Sequence, residues 1–298
     1  MAGSVSARLV ATAPPARTTA LTEPRWLRRT LIGVAVAFLT LVLLVPLGAV
    51  FIKGFEKGLE VYLAALTEPD ARAALRLTLL TTAVAVPLNV VFGVAAAWAI
   101  TKFNFPGRRL LIAVIDLPFA VSPVIAGMVF VLLFGAQGWF GPWLAERDLK
   151  VIFAIPGIVL ATTFVTLPFV ARELIPLMEE QGAEEEEAAI VLGATGWQTF
   201  RRVTLPNIQW GLLYGVILCG ARAVGEFGAV SVVSGHIRGL TNTTPLHIEI
   251  LYNEYQFTAA FAVASVLTLL ALATLAAKNL IEWQQAHLAS PVTEEPHP

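Results

Sequence analysis

Charge is scarce in this chain. Only 14% of its 298 residues are Asp, Glu, Lys or Arg, while 57% are hydrophobic and the mean hydropathy is +0.74. Soluble domains carry about 25% charge. A chain this apolar cannot cover itself with polar surface, so it needs lipid as part of its solvent. The formal net charge of -1 points to no nucleic-acid partner, although where the few charges sit matters more than their sum. Cysteine occurs once, as Cys219 in an apolar run. No disulfide can close within the chain, and no cysteine cluster can hold a metal. Cys219 reads as a small buried hydrophobe.

Lysine is also rare, at Lys53, Lys57, Lys102, Lys150 and Lys278, and none follows glycine. A phosphate-cradling loop ending in Gly-Lys-Ser/Thr is therefore absent, and with it ATP hydrolysis through that motif. The histidines His236, His247, His287 and His297 are scattered and form no HExxH pair. No GxSxG elbow occurs. Neither a metal nor a cofactor is expected. No internal repeat is strong enough to suggest inverted halves, which counts against a secondary transporter.

What the chain does have is long apolar runs. A helix needs roughly 20 apolar residues to cross the hydrocarbon layer. Six stretches qualify: Leu31–Ile52, Leu77–Ile100, Leu110–Phe134, Ile152–Ile175, Ile208–Val233 and Phe257–Ile281. They do not alternate in polarity, so they are helices and not barrel strands. The first run is too long for a signal-peptide core and reads as a retained anchor. Residues 1–24, rich in Ala, Thr and Pro, read as a disordered cytoplasmic tail. Residues 284–298 read as a cytoplasmic C-terminal tail, leaving 25–283 as one membrane domain.

Lys and Arg set the orientation. With the N-terminus inside, one side collects Arg8, Arg17, Arg25, Arg28, Arg29, Lys102, Arg108, Arg109, Arg172, Arg201, Arg202 and Lys278. The other collects Lys53, Lys57, Arg72, Arg76, Arg147, Lys150 and Arg238. The bias puts both termini in the cytoplasm. On the outer side, Trp139, Phe140 and Trp143 read as interfacial anchors.

One long polar stretch, 176–206, interrupts the membrane pattern, and it reads as a helical hairpin. Glu184, Glu185, Glu186 and Glu187 place acids in a first helical turn, where the macrodipole favours them. Gly193 ends that helix. Thr195 and Gln198 fit a capping box that opens a second one. Trp197, Phe200 and Val203 fall at i, i+3 and i+6 on one apolar face. A merely solvated loop has no use for such a face, and exposed aromatic faces mark partner sites.

Here the residues resemble a known pattern. Glu187-Ala188-Ala189, three residues, Gly193, nine residues, then Val203-Thr204-Leu205-Pro206 is similar to the EAA motif of bacterial ABC importer permeases, E-A-A-x3-G-x9-I-x-L-P. Val203 for Ile is the one departure. The segments TKFNFPGRRLL (101–111), DLPFAVSPVIAG (116–127), FVTLPFVARELIP (164–176) and ARAVGEFGAVSVVSG (221–235) resemble the sulfate/thiosulfate permeases of that class. RGLTNTTPLHIEILY (238–252) fits less closely. The resemblance runs from about Leu31 to Trp283.

It implies an all-α polytopic bundle of the type I, MetI-like importer fold. It implies that Glu184, Glu187, Ala188, Ala189, Gly193, Trp197, Leu205 and Pro206 belong to coupling helices that dock on a separate ATPase. The chain itself would not be an enzyme. The implied partners are two ATPase subunits, a second related permease, and a periplasmic sulfate-binding protein that delivers sulfate or thiosulfate. Molybdate or tungstate import is the alternative within the class, and an ion-coupled secondary anion transporter the alternative outside it.

Ionisable groups inside a span are costly and face a cavity or a partner. Arg222 and Glu226 are spaced i, i+4, so on one helix they would share a face. Two readings stay open: Arg222 lines the anion path with Glu226 restraining it, or the two form a structural ion pair. Asp116 suits hydrogen bonding within the bundle. Pro118, Pro123 and Gly127 interrupt the third span beside Ser122, so this segment is a candidate broken helix, and broken helices can present backbone amides to an anion.

Overall fold

The structure, a computed structural model, describes residues 24–288. The predicted tail 1–24 lies outside these residues except for Pro24, as does the end of the chain beyond Leu288. In chain order the helices are α1 (Arg25–Leu39), α2 (Val45–Phe55), α3 (Leu59–Thr67), α4 (Pro69–Lys102), α5 (Arg108–Ala120), α6 (Pro123–Phe134), α7 (Gly141–Ala145), α8 (Ile155–Thr166), α9 (Pro168–Gln181), α10 (Glu184–Val191), α11 (Gly196–Thr199), α12 (Leu205–Val224), α13 (Gly228–Val233), α14 (Thr244–Asn253) and α15 (Phe257–Leu288). π-Helical turns at Thr40–Leu44 and Phe200–Thr204 join α1 to α2 and α11 to α12. No strand occurs among the described residues.

Five helical stretches are long and apolar enough to cross a membrane: Arg25–Phe55, Pro69–Lys102, Ile155–Gln181, Gly196–Val224 and Phe257–Leu280. The pair α5 and α6 is long and apolar enough only when taken together, and it is bent by 110°, the geometry of a broken span or a re-entrant loop. Five of the expected six runs are thus spanning helices, and the third is helical but broken where Ser122 and Pro123 interrupt it. Several limits differ from expectation, with the second span starting at Pro69 and the fifth at Gly196, and two of the differences bear on the site. Helix α9 continues through polar residues to Gln181, so the hairpin begins at Gly182 and not at 176. The fifth span stops at Val224 instead of reaching Val233, because the backbone leaves the helix at Gly225.

Contacts divide the chain at Gly48. Before that point, α1 and the π-turn after it bury no side chain. From Ala49 onward the core is built on α4, α9 and α12. Ala97, Val170, Leu174, Met178, Ile208 and Cys219 form one buried cluster there. A second joins Leu77, Ile158, Val165, Ala229, Val233 and Leu246. Helices in lipid gain little from apolar contact as such, so close approach and interhelical hydrogen bonds do more of the holding. Gly93 provides the approach: a Cβ there would stand 2.7 Å from Val170. Asn89 provides the bonds, donating from Nδ2 to the Thr163 carbonyl at 3.1 Å and to Thr166 Oγ1 at 2.7 Å.

Helix α14, with ten residues, rises about 15 Å and is too short to cross. It packs on the Pro69 half of α4, where the Thr244 N–H donates to Thr78 Oγ1 at 2.8 Å. One turn on, His247 is 1% exposed, and its ring nitrogens find no partner among the described residues. Burial pushes this imidazole below its ordinary 6.5. Glu68, Asp70 and Glu254 pull it up, and Arg238 adds to the lowering. The folded protein therefore takes up this proton less readily than the unfolded chain does. Stability is full above about pH 6.5 and falls as pH drops below it, by up to about 1.4 kcal/mol per pH unit. Melting of the detergent-solubilised protein between pH 7.5 and 5.5 should show this slope. His247→Asn should reduce it, and an unchanged slope would assign the acid sensitivity to other groups.

Candidate functional site, a hairpin and two facing helix breaks

Beyond the Lys102 end of α4 the chain builds the expected helical hairpin. Glu184, Glu185, Glu186 and Glu187 occupy the first turn of α10. The Gly193 N–H donates to the Ile190 carbonyl at 2.9 Å, and the Ala194 N–H to the Ala189 carbonyl at 3.0 Å. This is a Schellman turn, with Gly193 in the left-handed region at φ +92°. The capping box forms as expected: the Gln198 N–H donates to Thr195 Oγ1, and Gln198 Oε1 accepts from the Thr195 N–H at 2.9 Å. From α11 the backbone runs helically through the π-turn into α12, with Leu205 and Pro206 at the junction.

The hairpin carries exposed apolar side chains in a strongly acidic setting. Val191 and Leu192 are each 87% exposed, and Trp197 is 69% exposed. Glu184, Glu187 and Ala188 are exposed around them, while Ala189 is half-buried. The expected aromatic face extends further than its own helix. Trp197 stacks on Phe200 with centroids 5.6 Å apart, and Phe200 lies 5.0 Å from Trp98 of α4.

Tethers fix the hairpin to the bundle, and sequence reasoning missed them. Lys102 Nζ stands 3.0 Å from Glu186 Oε1, with both side chains mostly shielded. The same ammonium donates to the Gly182 carbonyl. Thr204 Oγ1 donates to Glu186 at 3.2 Å, and Asn207 Nδ2 donates to Glu185. Lys102 stood in the sequence only as a flanking cation. Its spacing of four from Trp98 was the available signal.

The second group of candidates lies where two spans break. Glu226 follows the end of α12, so it does not share a helical face with Arg222 as expected. The two still meet, with Arg222 Nη1 2.6 Å from Glu226 Oε2. Glu226 Oε1 accepts the Ala229 N–H at 2.9 Å and so holds the first turn of α13. Glu226 is buried, whereas the Arg222 side chain is about one-third exposed. Ser122 is exposed at the N-cap of α6, and its hydroxyl makes no capping bond among the described residues.

The two breaks face each other. A Cβ on Gly228 would stand 3.0 Å from Pro123, and one on Gly127 would stand 2.8 Å from the Ala229 carbonyl oxygen. Asp116 hydrogen-bonds within the bundle as expected, and the bond is also an ion pair: Arg172 Nε donates to its Oδ1 at 2.6 Å. A cavity of about 470 Å³ opens between α4, α12 and α15, beside Leu79, Gly220, Ala221, Gly225, Leu267 and Ala271. Its walls carry no charge, so it offers an anion little compensation for lost water.

A model of the family described as binding-protein-dependent transport system inner membrane component matches residues 89–284. The chain belongs to this family. Its matched region holds the hairpin, both helix breaks and the α4 residues from Asn89 onward. Among its relatives, the sulfate transport system permease protein CysW of Escherichia coli K12 is 51% identical over 272 residues, covering 91% of this chain and 94% of that one. CysW of Synechocystis sp. is 54% identical over 257 residues, covering 86% and 93%. The sulfate transport system permease protein CysT of E. coli K12 is 41% identical over 251 residues, covering 84% and 91%. The fold is that of a solved family of importers. A bacterial alginate ABC transporter, crystallised with an alginate pentasaccharide-bound periplasmic protein, aligns with a TM-score of 0.73 at 16% identity, covering 86% of this chain and 93% of that one. The expected all-α importer-permease bundle and the resemblance to sulfate permeases both hold.

Proposed function

We propose that this chain is one permease subunit of an ATP-driven sulfate importer, with thiosulfate as a second dianion of similar charge. The observation that carries the coupling role is the exposed apolar patch of Val191, Leu192 and Trp197 on an otherwise acidic hairpin. Such a patch on a water-facing element fits a partner surface. In this reading Glu184, Glu187, Ala188, Ala189, Gly193, Trp197, Leu205 and Pro206 form the docking element for an ATPase subunit. One ATPase would sit on this chain and a second on a related permease. The likeness to both CysW and CysT, at 51% and 41% identity, supports such a pair. A periplasmic sulfate-binding protein would deliver the anion, as the alginate transporter's structure includes a periplasmic protein. The hairpin and both termini then lie in the cytoplasm, in line with the Lys and Arg bias.

Arg222, Glu226 and Ser122 are the residues we assign to the anion path. A guanidinium free of any partner would hold a dianion too firmly to release it. Glu226 at 2.6 Å offsets part of that charge. Ser122 adds a neutral hydroxyl at the opposing break. Nucleotide-driven closure of the ATPases would rock the docked hairpins, and the bundle would alternate between outward and inward access.

The test is uptake of labelled sulfate by vesicles holding this chain with its co-purifying ATPase and permease. Uptake should require ATP on the side that carries the ATPase, and the binding protein on the opposite side to deliver the anion. Uptake driven by an ion gradient, with the ATPase left out, would overturn the reading.

A further inference from the structure

A docked element transmits motion only if it is fastened to what must move. The two hairpin helices differ in this respect. Helix α11 continues through the π-turn into α12, so it is joined to the membrane bundle by its own backbone. Helix α10 has no such continuity. It is bounded by Gly182 at φ +70° and Gly193 at φ +92°, and both ends are turns about which it could pivot. Side-chain bonds hold it instead: Asn207 of α12 to Glu185 and Thr204 of the π-turn to Glu186 on one side, and, as the ion pair and the contact at its hinge, Lys102 in the last turn of α4.

Trp98 and Lys102 are four residues apart and share one face of α4. Trp98 meets the α11 side through Phe200, at 5.0 Å between rings. Lys102 meets the α10 side through Glu186 at 3.0 Å, and through the Gly182 carbonyl at its hinge. The Lys102 and Glu186 side chains are only 11% and 16% exposed. The pair is therefore shielded from the water and salt that weaken surface ion pairs.

Helix α4 itself is 34 residues long, about 50 Å at helical rise. Pro87 lies inside it, and Asn89 beside that proline is braced by Thr163 and Thr166. Near its other end, Thr78 is bonded to Thr244 of α14. One rod thus touches the hairpin at one face of the membrane and the α14 segment toward the other.

We propose that Trp98 and Lys102 are positioning residues, a two-point clasp that makes both hairpin helices move with α4. The clasp passes displacement of the docked hairpin along α4 to the α13–α14 side of the bundle. This rests on the coupling role proposed above and adds to it the transmembrane element that receives the motion.

The experiment uses the complete transporter in vesicles, and reads sulfate moved per ATP hydrolysed together with ATPase co-purification. Lys102→Gln and Trp98→Leu should each lower that ratio by about 2- to 30-fold, with the ATPase still bound. The exchange Lys102→Glu with Glu186→Lys should restore most of it, and Trp98→Phe should keep most of it. An unchanged ratio in both single variants overturns the proposal. So does loss of ATPase binding in both, because the two residues would then merely shape the docking surface. If Lys102→Gln fails to insert, the comparison of Trp98→Leu with Trp98→Phe decides alone. Failure of the functional reading is distinguishable: the unaltered complex would then move no sulfate on ATP at all.

Discussion

Replacing Gly193 with valine is expected to cut ATP-coupled sulfate uptake by about 5- to 150-fold while the protein still inserts into the membrane. The cause is conformational and not steric. A Cβ at Gly193 would meet nothing within 4 Å, so there is room for a side chain. The backbone, however, sits at φ +92°, where a β-branched residue costs about 1–3 kcal/mol. The hairpin escapes that cost by unmaking the Schellman turn, which frees α10 from its set angle to α11. A penalty of this size lowers the docking-competent population by about 5- to 150-fold. Asparagine tolerates positive φ better than valine does, so Gly193→Asn should keep more uptake than Gly193→Ala, and Gly193→Val least. That rank order separates backbone strain from simple crowding, which would follow side-chain size.

Glu187→Lys tests the same element through charge. Glu187 is exposed in the first turn of α10. A cation there opposes the macrodipole, at about 0.3–1 kcal/mol, and reverses the charge offered to the proposed ATPase partner. Uptake should drop, with ATP hydrolysis no longer tied to sulfate movement. Full uptake in both Gly193→Val and Glu187→Lys would remove the hairpin from the coupling path.

Much of this architecture could be read from the residues, for a physical reason. A membrane span must satisfy its backbone internally and present some twenty apolar residues to lipid, so long spans leave a signal that no tertiary contact can erase. The hairpin was legible for a different reason. Its ends are set by local chemistry: acids in the first turn, Gly193 at the left-handed position, and Thr195 with Gln198 closing a capping box. The bend beside Ser122 announced itself through Pro123.

What stayed hidden was whatever depends on distant partners. The break after Val224 leaves little local trace, because Gly225 is followed by no proline and the first turn beyond the break is held by Glu226 bonding to Ala229. The extension of α9 past Ile175 was hidden because that helix leaves the lipid while remaining helical. Helices α3, α7 and α14 are too short for an apolar run to reveal. The clasp on α4 joins residues 84 positions apart in sequence at Lys102 and Glu186; the spacing of Trp98 and Lys102 puts both on one face of α4 but does not name their partners.

The Arg222–Glu226 pair allows the two readings left open by the sequence to be separated. Arg222→Gln should cut uptake by about ten- to hundredfold, the loss of a charge-assisted contact of roughly 1.5–3 kcal/mol with the anion. This variant alone does not distinguish the readings, because it also strands Glu226, a buried carboxylate. Removing one partner of a fully buried pair destabilises by about 3–5 kcal/mol, and here the cost is smaller because the Arg222 side chain is one-third exposed. The double variant Arg222→Gln with Glu226→Gln removes that complication. The glutamine introduced by Glu226→Gln keeps a carbonyl oxygen for the Ala229 N–H, so the first turn of α13 stays capped and no buried charge is left unpaired. Thermal stability in detergent should therefore recover toward that of the unaltered protein. Uptake should not recover, because the path has lost its cation. Glu226→Gln alone should hold sulfate more firmly, lowering KM and maximal uptake together. If the double variant regains both stability and uptake, Arg222 and Glu226 are a brace within the bundle, and the anion is recognised elsewhere.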